Sequence, residues 1–152
     1  MLLTEEQEMI RTLARDFARQ EIVPHAARWA REHRFPADAL HQMGGLGLLG
    51  MLVPAEWDGA GVDHVAYALA IEEIESGDGA ISTIMSVHNS VGCMPVLKYG
   101  SDAQKQRFLR PMARGEMLAA FCLTEPQAGS DASAIRCRAR RDWGVSPVRV
   151  ST

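Results

Sequence analysis

Apolar residues recur at helical spacing from the start of the chain. The first series comprises Met9, Ile10, Leu13, Phe17 and Ile22, close to the 3.6-residue period of a helix. Thr4 and Gln7 precede it as a capping box, in which the Thr4 hydroxyl accepts the Gln7 backbone N–H and the Gln7 side chain reaches back. We therefore predict a helix over residues 5–21, with Pro24 marking a kink or an end.

Four further helices are predicted before residue 115. Proline suits the first turn of a helix, so Pro36 starts the second helix, which Gly44 and Gly45 end. Asp63 caps the third, the fourth is apolar nearly all round as a central buried helix is, and Pro111 breaks or kinks the fifth. These helices cover about residues 37–43, 64–75, 80–99 and 102–114.

The pattern changes after Gly115. Residues 117–123 form a short apolar run between turn signals, which predicts a buried strand. Residues 135–141 alternate between apolar and arginine positions, which predicts a half-exposed strand. The order of helices followed by strands indicates a mainly α chain, in which a bundle of about five helices precedes the first strands of a β-domain.

Residues 45–50 match the pattern GxGxxG, which is typical of dinucleotide-binding turns. That turn needs a strand leading in and a helix leading out, so that the phosphates meet a helix N-terminus. Here a predicted helix leads in and a loop containing Pro54 leads out. We therefore interpret this stretch as a structural connection.

Composition and charge place few limits on the partners. The chain has 152 residues, of which 47% are hydrophobic and 23% charged, as in ordinary globular domains. A net charge of −3 gives no indication of nucleic-acid binding. The early Glu5, Glu6 and Glu8 argue against a secretory or mitochondrial leader, and no apolar run suggests a membrane span. We expect a cytoplasmic protein.

Cysteines and histidines give no sign of a metal centre. The three cysteines form no CxxC pair and have no histidine at a matching spacing. The five histidines also lack ligand spacing, so we expect solvent or helix-face positions for them. They are His25, His33, His41, His64 and His88.

The most informative stretch is residues 121–131, which we call the signature segment. Gly129 permits close approach of the backbone to a ligand, and the N–H groups of Gly129 and Ser130 can form a concave anion site. The Ser130 hydroxyl can donate to a phosphate. From the residues alone, a phosphate or cofactor loop and a plain strand-to-strand loop are equally supported.

The string TEPQAGSD at residues 124–131 closely resembles the TEPxAGSD signature of the acyl-CoA dehydrogenases. Residues 54–61 (PAEWDGAG) resemble the family's PxxxGGxG loop, with Asp58 in place of the first glycine, and His88-Asn89-Ser90 resembles a helix that precedes the signature. The resemblance implies a helical N-terminal domain at residues 1–115 and the start of a β-barrel-like middle domain at residues 116–142. The tail, residues 143–152, is unlike the family.

The resemblance implies a flavin cofactor, FAD. Carried over to this chain, Phe121 would line the flavin, Leu123 and Thr124 would meet the polar edge of the ring, and Gly129 and Ser130 would meet the pyrophosphate. Donors at the pyrimidine edge would stabilise the charge that a reduced flavin carries there.

The resemblance also implies the reaction, α,β-dehydrogenation of an acyl-CoA thioester, with electrons passing to an electron-transferring flavoprotein. Ser130 would touch the thioester end of the substrate, and Thr83, Ile84 and Val87 of the fourth helix would line the acyl cavity. Packing in the core is an equally supported role for these three helix residues. A homo-oligomer, a tetramer in the family, is implied, with no nucleic acid and no membrane partner.

The catalytic carboxylate of the family belongs to a C-terminal domain, so we assign no catalytic residue here. Because the tail from Trp143 departs from the family, we hypothesise a truncated or frame-shifted product. We expect an isolated chain of this kind to bind flavin weakly and to be inactive alone. A flavin monooxygenase or nitroalkane oxidase of the same fold is one alternative, and a non-catalytic helical interaction module is another.

Overall fold

The structure is a computed structural model that describes residues 2–141 and 148–151. It divides into two compact units, of which the first ends at Ala120 and the second begins at Phe121. We call them the helical unit and the second unit. Most of the predicted foreign tail, residues 143–147 and 152, lies outside the described residues.

The described part of the helical unit, residues 2–120, contains five continuous helical stretches, three of which include a π-helical segment. The mainly helical class with about five helices is confirmed. The elements are α1 (Glu5–Phe17), a π segment (Ala18–Ile22) and α2 (Val23–Glu32); α3 (Ala37–Gly45); a 3₁₀ turn (Ala55–Trp57); α4 (His64–Glu75); α5 (Gly79–Val87), a π segment (His88–Cys93) and α6 (Met94–Tyr99); and α7 (Asp102–Gln104), a π segment (Lys105–Leu109) and α8 (Arg110–Ala113).

Prolines inside the helices do not end them, so of the two outcomes predicted for Pro24, a kink or an end, the end is wrong. The first helix continues past Pro24 to Glu32. Pro24, Pro95 and Pro111 each occupy the second residue of an α-helix that follows a π segment. Proline has no N–H and its ring clashes with the carbonyl four residues back. Wider π-type bonds accommodate it, as in the bond from the Val23 N–H to the Ala18 carbonyl five residues earlier.

Side-chain caps start the helices where the sequence indicated. Thr4 and Gln7 form the predicted capping box, with the Gln7 N–H donating to the Thr4 hydroxyl at 3.2 Å. Asp63 accepts from the Val65 and Ala66 amides at 2.8 Å each, and so begins α4. Each cap satisfies amides that have no partner within the helix.

The helices pack around two apolar clusters. The larger cluster joins α1, α3, α4 and α5 with the turn after α3, and its largest buried members include Ile22, Leu40, Met43, Leu48, Leu49, Ile74 and Met85. The smaller cluster contains Val53, Cys93, Leu109, Met112 and Ala113. Burial of these side chains is the main favourable contribution to the fold.

The helix from Gly79 to Tyr99 is long and apolar enough to cross a membrane by length and composition. We had predicted this helix as apolar nearly all round and had expected no membrane span in the chain. The core helix of a soluble protein meets the same criterion, and this helix carries buried His88 and Asn89 side chains that bond to neighbouring segments. We therefore interpret it as the packed central helix of the bundle.

The strand predicted at residues 117–123 is absent from the described structure, where these residues have no regular secondary structure. Met117, Leu118, Phe121 and Leu123 are 40–54% exposed. A strand needs a paired neighbour to satisfy its backbone, and no described strand lies beside this run. The periodicity therefore indicated an apolar segment but not its pairing.

In the second unit, strand β1 (Arg138–Arg141) pairs antiparallel with β2 (Val148–Ser151). The predicted strand at residues 135–141 is shorter than expected, and it has a partner within the tail that we had expected to be foreign to the fold. The register places Arg140 opposite Arg149. The larger β-barrel-like domain stays a prediction.

The glycine-rich stretch after α3 is a close-packed connection, as the flanking pattern indicated. Gly47 has a φ of 77°, which favours glycine. A Cβ added to Gly50 would lie 2.6 Å from the Ala113 carbonyl oxygen, and one added to Gly44 would lie 2.7 Å from the Gly115 Cα. The glycines therefore allow this stretch to approach the end of α8.

Candidate functional site

The centre of the signature segment is a tight turn. The Glu125 N–H donates to the Ala128 carbonyl at 2.9 Å, and the Ala128 N–H donates back to the Glu125 carbonyl at 3.1 Å. Pro126 and Gln127 form the corner between them, and Pro126 restricts the backbone there. The turn leaves Gly129 and Ser130 directly after its closing pair.

The Glu125 carboxylate holds this turn to the chain that follows it. Its two oxygens accept the N–H groups of Arg136 and Cys137 at 2.8 Å each, and the Gln127 amide also donates to it. The Arg136 amide is the main reason why the pKa of Glu125 lies below its usual value. Charge-assisted bonds of this kind are stronger than neutral ones, so the turn has a defined shape.

Asp131 orders the end of the segment in the same way. Its carboxylate accepts from the Ser133 amide at 3.0 Å and from the Ser133 hydroxyl at 2.5 Å, and so begins a 3₁₀ turn at Ala132–Ala134. These bonds lower the pKa of Asp131. The acidic residues of the signature are therefore used internally, and a ligand is left with the amides and hydroxyls.

The predicted cofactor residues are all accessible. Phe121 is 54% exposed and Leu123 is 42% exposed, while Thr124, Gly129 and Ser130 are also exposed. Within residues 2–141 and 148–151, the amides of Gly129 and Ser130 and the hydroxyls of Thr124 and Ser130 bond to no other residue. A Cβ added to Gly129 would meet nothing within 4 Å, so the space above it is open.

This donor set fits a flavin. Two amides and two hydroxyls offer hydrogen bonds to a pyrophosphate and to the polar edge of a ring. Two apolar side chains, Phe121 and Leu123, offer contact area for the ring itself.

The three predicted acyl-cavity residues occupy different environments on α5. The Thr83 side chain is exposed, and its hydroxyl donates to the Gly79 carbonyl of its own helix at 2.8 Å. Ile84 is half-buried against the larger apolar cluster and lines a cleft of about 220 Å³ together with Trp29 and Pro36. Val87 is half-buried and is not among the residues that line this cleft. Ile84 therefore both packs against the core and borders open space.

Sequence reasoning missed the role of His88, which we expected at a helix surface. The ring is fully buried: Nδ1 accepts the Ala119 N–H at 3.1 Å, and Nε2 lies 3.0 Å from the Met112 carbonyl oxygen. Burial lowers the pKa of His88. The available signal was a polar pair, His88 and Asn89, inside an otherwise apolar helix.

Asn89, the other member of this pair, is also buried and fully bonded. Its Oδ1 accepts the Met51 N–H at 2.8 Å, and its Nδ2 donates to the carbonyls of Leu48 and Met85 at 2.9 and 3.0 Å. The side chain thereby joins the central helix to the glycine-rich connection after α3.

Comparison with known proteins supports one family. Residues 4–116 match the family described as acyl-CoA dehydrogenase, N-terminal domain. The chain is 46% identical over 140 residues to the short-chain specific acyl-CoA dehydrogenase of Rattus norvegicus mitochondria, a match that covers 92% of this chain and 34% of that protein. The chain thus spans about a third of the length of this relative.

Solved structures agree with this comparison. Butyryl-CoA dehydrogenase from Megasphaera elsdenii superposes with a TM-score of 0.86 at 30% identity, over 93% of this chain and 38% of that one. An acyl-CoA dehydrogenase complexed with FAD from Bacillus anthracis superposes with a TM-score of 0.85 at 35% identity, over 93% of this chain and 24% of that one.

Proposed function

This chain belongs to the acyl-CoA dehydrogenase family, and we propose that it supplies the N-terminal helices and one side of the FAD site of an enzyme that dehydrogenates acyl-CoA thioesters. The observation that carries the proposal is the signature turn. Its acidic residues are bonded internally, while the amides of Gly129 and Ser130 and the hydroxyls of Thr124 and Ser130 are left for a ligand.

We assign the flavin contacts by chemistry. Leu123 and Thr124, through their backbone and the Thr124 hydroxyl, are suited to the polar edge of the ring. Gly129 and Ser130 are suited to the pyrophosphate, because adjacent amides and a hydroxyl favour an anion. Phe121 adds apolar contact. When bound, FAD supplies the acceptor for the hydride that leaves the β-carbon of the substrate.

The proposed substrate is an acyl-CoA thioester, with Ser130 near its thioester end. Thr83, Ile84 and Val87 are proposed to line the acyl chain from α5. The proton-abstracting carboxylate is proposed to lie outside these 152 residues, as in the family. An electron-transferring flavoprotein is the proposed electron acceptor, and a homo-oligomer the proposed assembly.

A chimera tests the proposal directly. Residues 1–141 of this chain replace the matching segment of the rat relative, and FAD content and short-chain acyl-CoA oxidation are measured. We expect a yellow, active chimera, and a Ser130→Ala version that binds FAD about tenfold more weakly, because one hydrogen bond to an anion is lost. A folded but colourless chimera would contradict the proposal.

The isolated chain provides the second measurement. We propose that the 152 residues alone bind FAD weakly and do not oxidise acyl-CoA, because they supply one side of the site and no base. A purified 152-residue chain that retains equimolar FAD would refute this part of the proposal.

A further inference from the structure

We propose that His88 is a positioning residue for the signature segment, because its ring holds the backbone of Ala119 and so determines where the chain leaves the helical unit. The consequence for FAD rests on the proposed function. The contact with Ala119 is a property of the helical unit alone.

The ring is held in one tautomer by its two bonds. Nδ1 accepts the Ala119 N–H at 3.1 Å, so it carries no proton in the neutral ring. Nε2 therefore carries the proton and donates to the Met112 carbonyl at 3.0 Å. The ring thereby connects the central helix to the end of α8 on one side and to Ala119 on the other.

A close approach at Gly92 supports the same placement. Gly92 lies four residues after His88, and a Cβ added to it would come within 2.5 Å of the Ala119 Cβ. The Met117 N–H, two residues earlier, donates to the Pro111 carbonyl at 3.1 Å. The chain is thus held at Met117 and again at Ala119 before the signature segment begins.

The Ala119 bond has no substitute nearby. Between Met117 and Glu125, the Ala119 amide is the one backbone N–H that donates to another described residue. Ala119 lies two residues before Phe121, the first predicted flavin contact. Loss of the bond at Nδ1 therefore releases the backbone that leads from Ala119 into the signature segment, whereas loss of the bond at Nε2 leaves it held.

Two substitutions separate the two ring nitrogens. His88→Asn places an amide oxygen near the position of Nδ1, so it keeps an acceptor for Ala119 and loses the donor to Met112. His88→Gln places an amide nitrogen near the position of Nε2, so it keeps the donor and loses the acceptor. Each variant loses one buried hydrogen bond, so the two are matched for general destabilisation.

The experiment is amide exchange on the full 152-residue chain. We expect the Ala119 amide to exchange about tenfold faster in His88→Gln than in His88→Asn, while the two variants melt at similar temperatures. Equal exchange in both variants would overturn the proposal. Nitrogen chemical shifts of His88 in the unaltered chain give a test without substitutions: a proton on Nδ1 would also overturn it.

The link from His88 to the cofactor is tested with the same substitutions in the chimera with the rat relative. We expect His88→Gln to weaken FAD binding about tenfold relative to His88→Asn. An unaltered chimera without FAD would reject the proposed function, while the exchange contrast at Ala119 would still decide the role of His88. Equal FAD affinity in the two variants would reject the link from His88 to the cofactor.

Discussion

Asp58 Oδ1 lies 2.8 Å from Arg110 Nη1, at a turn where the Asp58 backbone has a φ of 64°. Its second oxygen pairs with Arg114 at 2.7 Å. A positive φ favours glycine, which stands at this position in the family loop that residues 54–61 resemble. Aspartate is among the few other residues that tolerate such a backbone. Asp58, which stands in place of that glycine, forms ion pairs with Arg110 in α8 and with Arg114 at its end.

Substitutions at Asp58 should separate backbone strain from charge. Asp58→Gly should be more stable than Asp58→Ala by about 1 kcal/mol, because alanine pays the cost of a left-handed backbone and glycine does not. Urea denaturation measures the difference. Asp58→Asn, which tolerates the same backbone, is the control for charge, and equal stability of the glycine and alanine variants would contradict the expectation.

Two glycines in the GxGxxG stretch should respond in opposite directions. Gly50→Ala should lower the free energy of unfolding by about 1–3 kcal/mol, since the new Cβ would lie 2.6 Å from the Ala113 carbonyl oxygen. Gly45→Ala should raise it by about 0.5–1 kcal/mol, because that site is helical and open. Thermal unfolding of the two variants tests the pair, and a destabilising Gly45→Ala would refute the packing explanation.

Stability should fall as the pH drops below neutrality, partly through His88. Burial lowers the folded-state pKa of His88, so the unfolded chain takes up a proton at higher pH than the folded chain. The contribution is complete above the unfolded pKa of about 6.5 and is lost as the pH falls through the folded pKa, with a slope of at most about 1.4 kcal/mol per pH unit.

Variants without the imidazole isolate this contribution. His88→Asn and His88→Gln should both show a shallower loss of stability between pH 7 and pH 5, measured by urea denaturation at each pH. Carboxylates with lowered pKa values, such as Asp63, add their own loss of stability only below about pH 5, outside this window. If the free energy of unfolding falls equally with pH in the unaltered chain and in both variants, His88 is not buried in its neutral form.

Thiol reagents should label two of the three cysteines in the folded chain. Cys122 and Cys137 are exposed, whereas Cys93 is buried and burial raises its pKa to about 12. Because the thiolate is the reactive form, Cys93 should react only after unfolding. A Cys93→Ala variant should lose the labelling that depends on unfolding and keep the fast labelling of Cys122 and Cys137. Fast reaction of all three thiols in the folded chain would contradict the packing of the smaller cluster.

Glu125→Gln should loosen the signature turn. One carboxylate oxygen is replaced by an amide nitrogen, which cannot accept the N–H of Arg136 or Cys137. We expect faster amide exchange at the position that loses its acceptor, and a smaller increase at the other, because the remaining oxygen no longer carries charge. Ala119 in the helical unit should be unaffected. Gln127→Ala, which leaves both carboxylate oxygens in place, is the matched control and should change exchange at residues 136–137 less.

The helices could be anticipated closely from the sequence. Capping residues and helical spacing are local, so Thr4, Asp63 and the glycines at the end of α3 indicated element starts and ends without knowledge of the fold. Whether the helix ends at Pro24 or passes through it could not be decided from the sequence, because this depends on a π segment that the proline alone does not specify. The missing strand at residues 117–123 shows the same limit, since pairing requires a neighbour.

Of the candidate site, the sequence by itself determined the chemistry of the signature segment and its family, because those depend on residue types in a short contiguous order. Only the tertiary structure decided that Glu125 and Asp131 are bonded internally and that His88 is buried against Ala119, 31 positions along the chain. Such contacts join residues distant in sequence, and neither periodicity nor composition records which distant backbone amide a buried ring will meet.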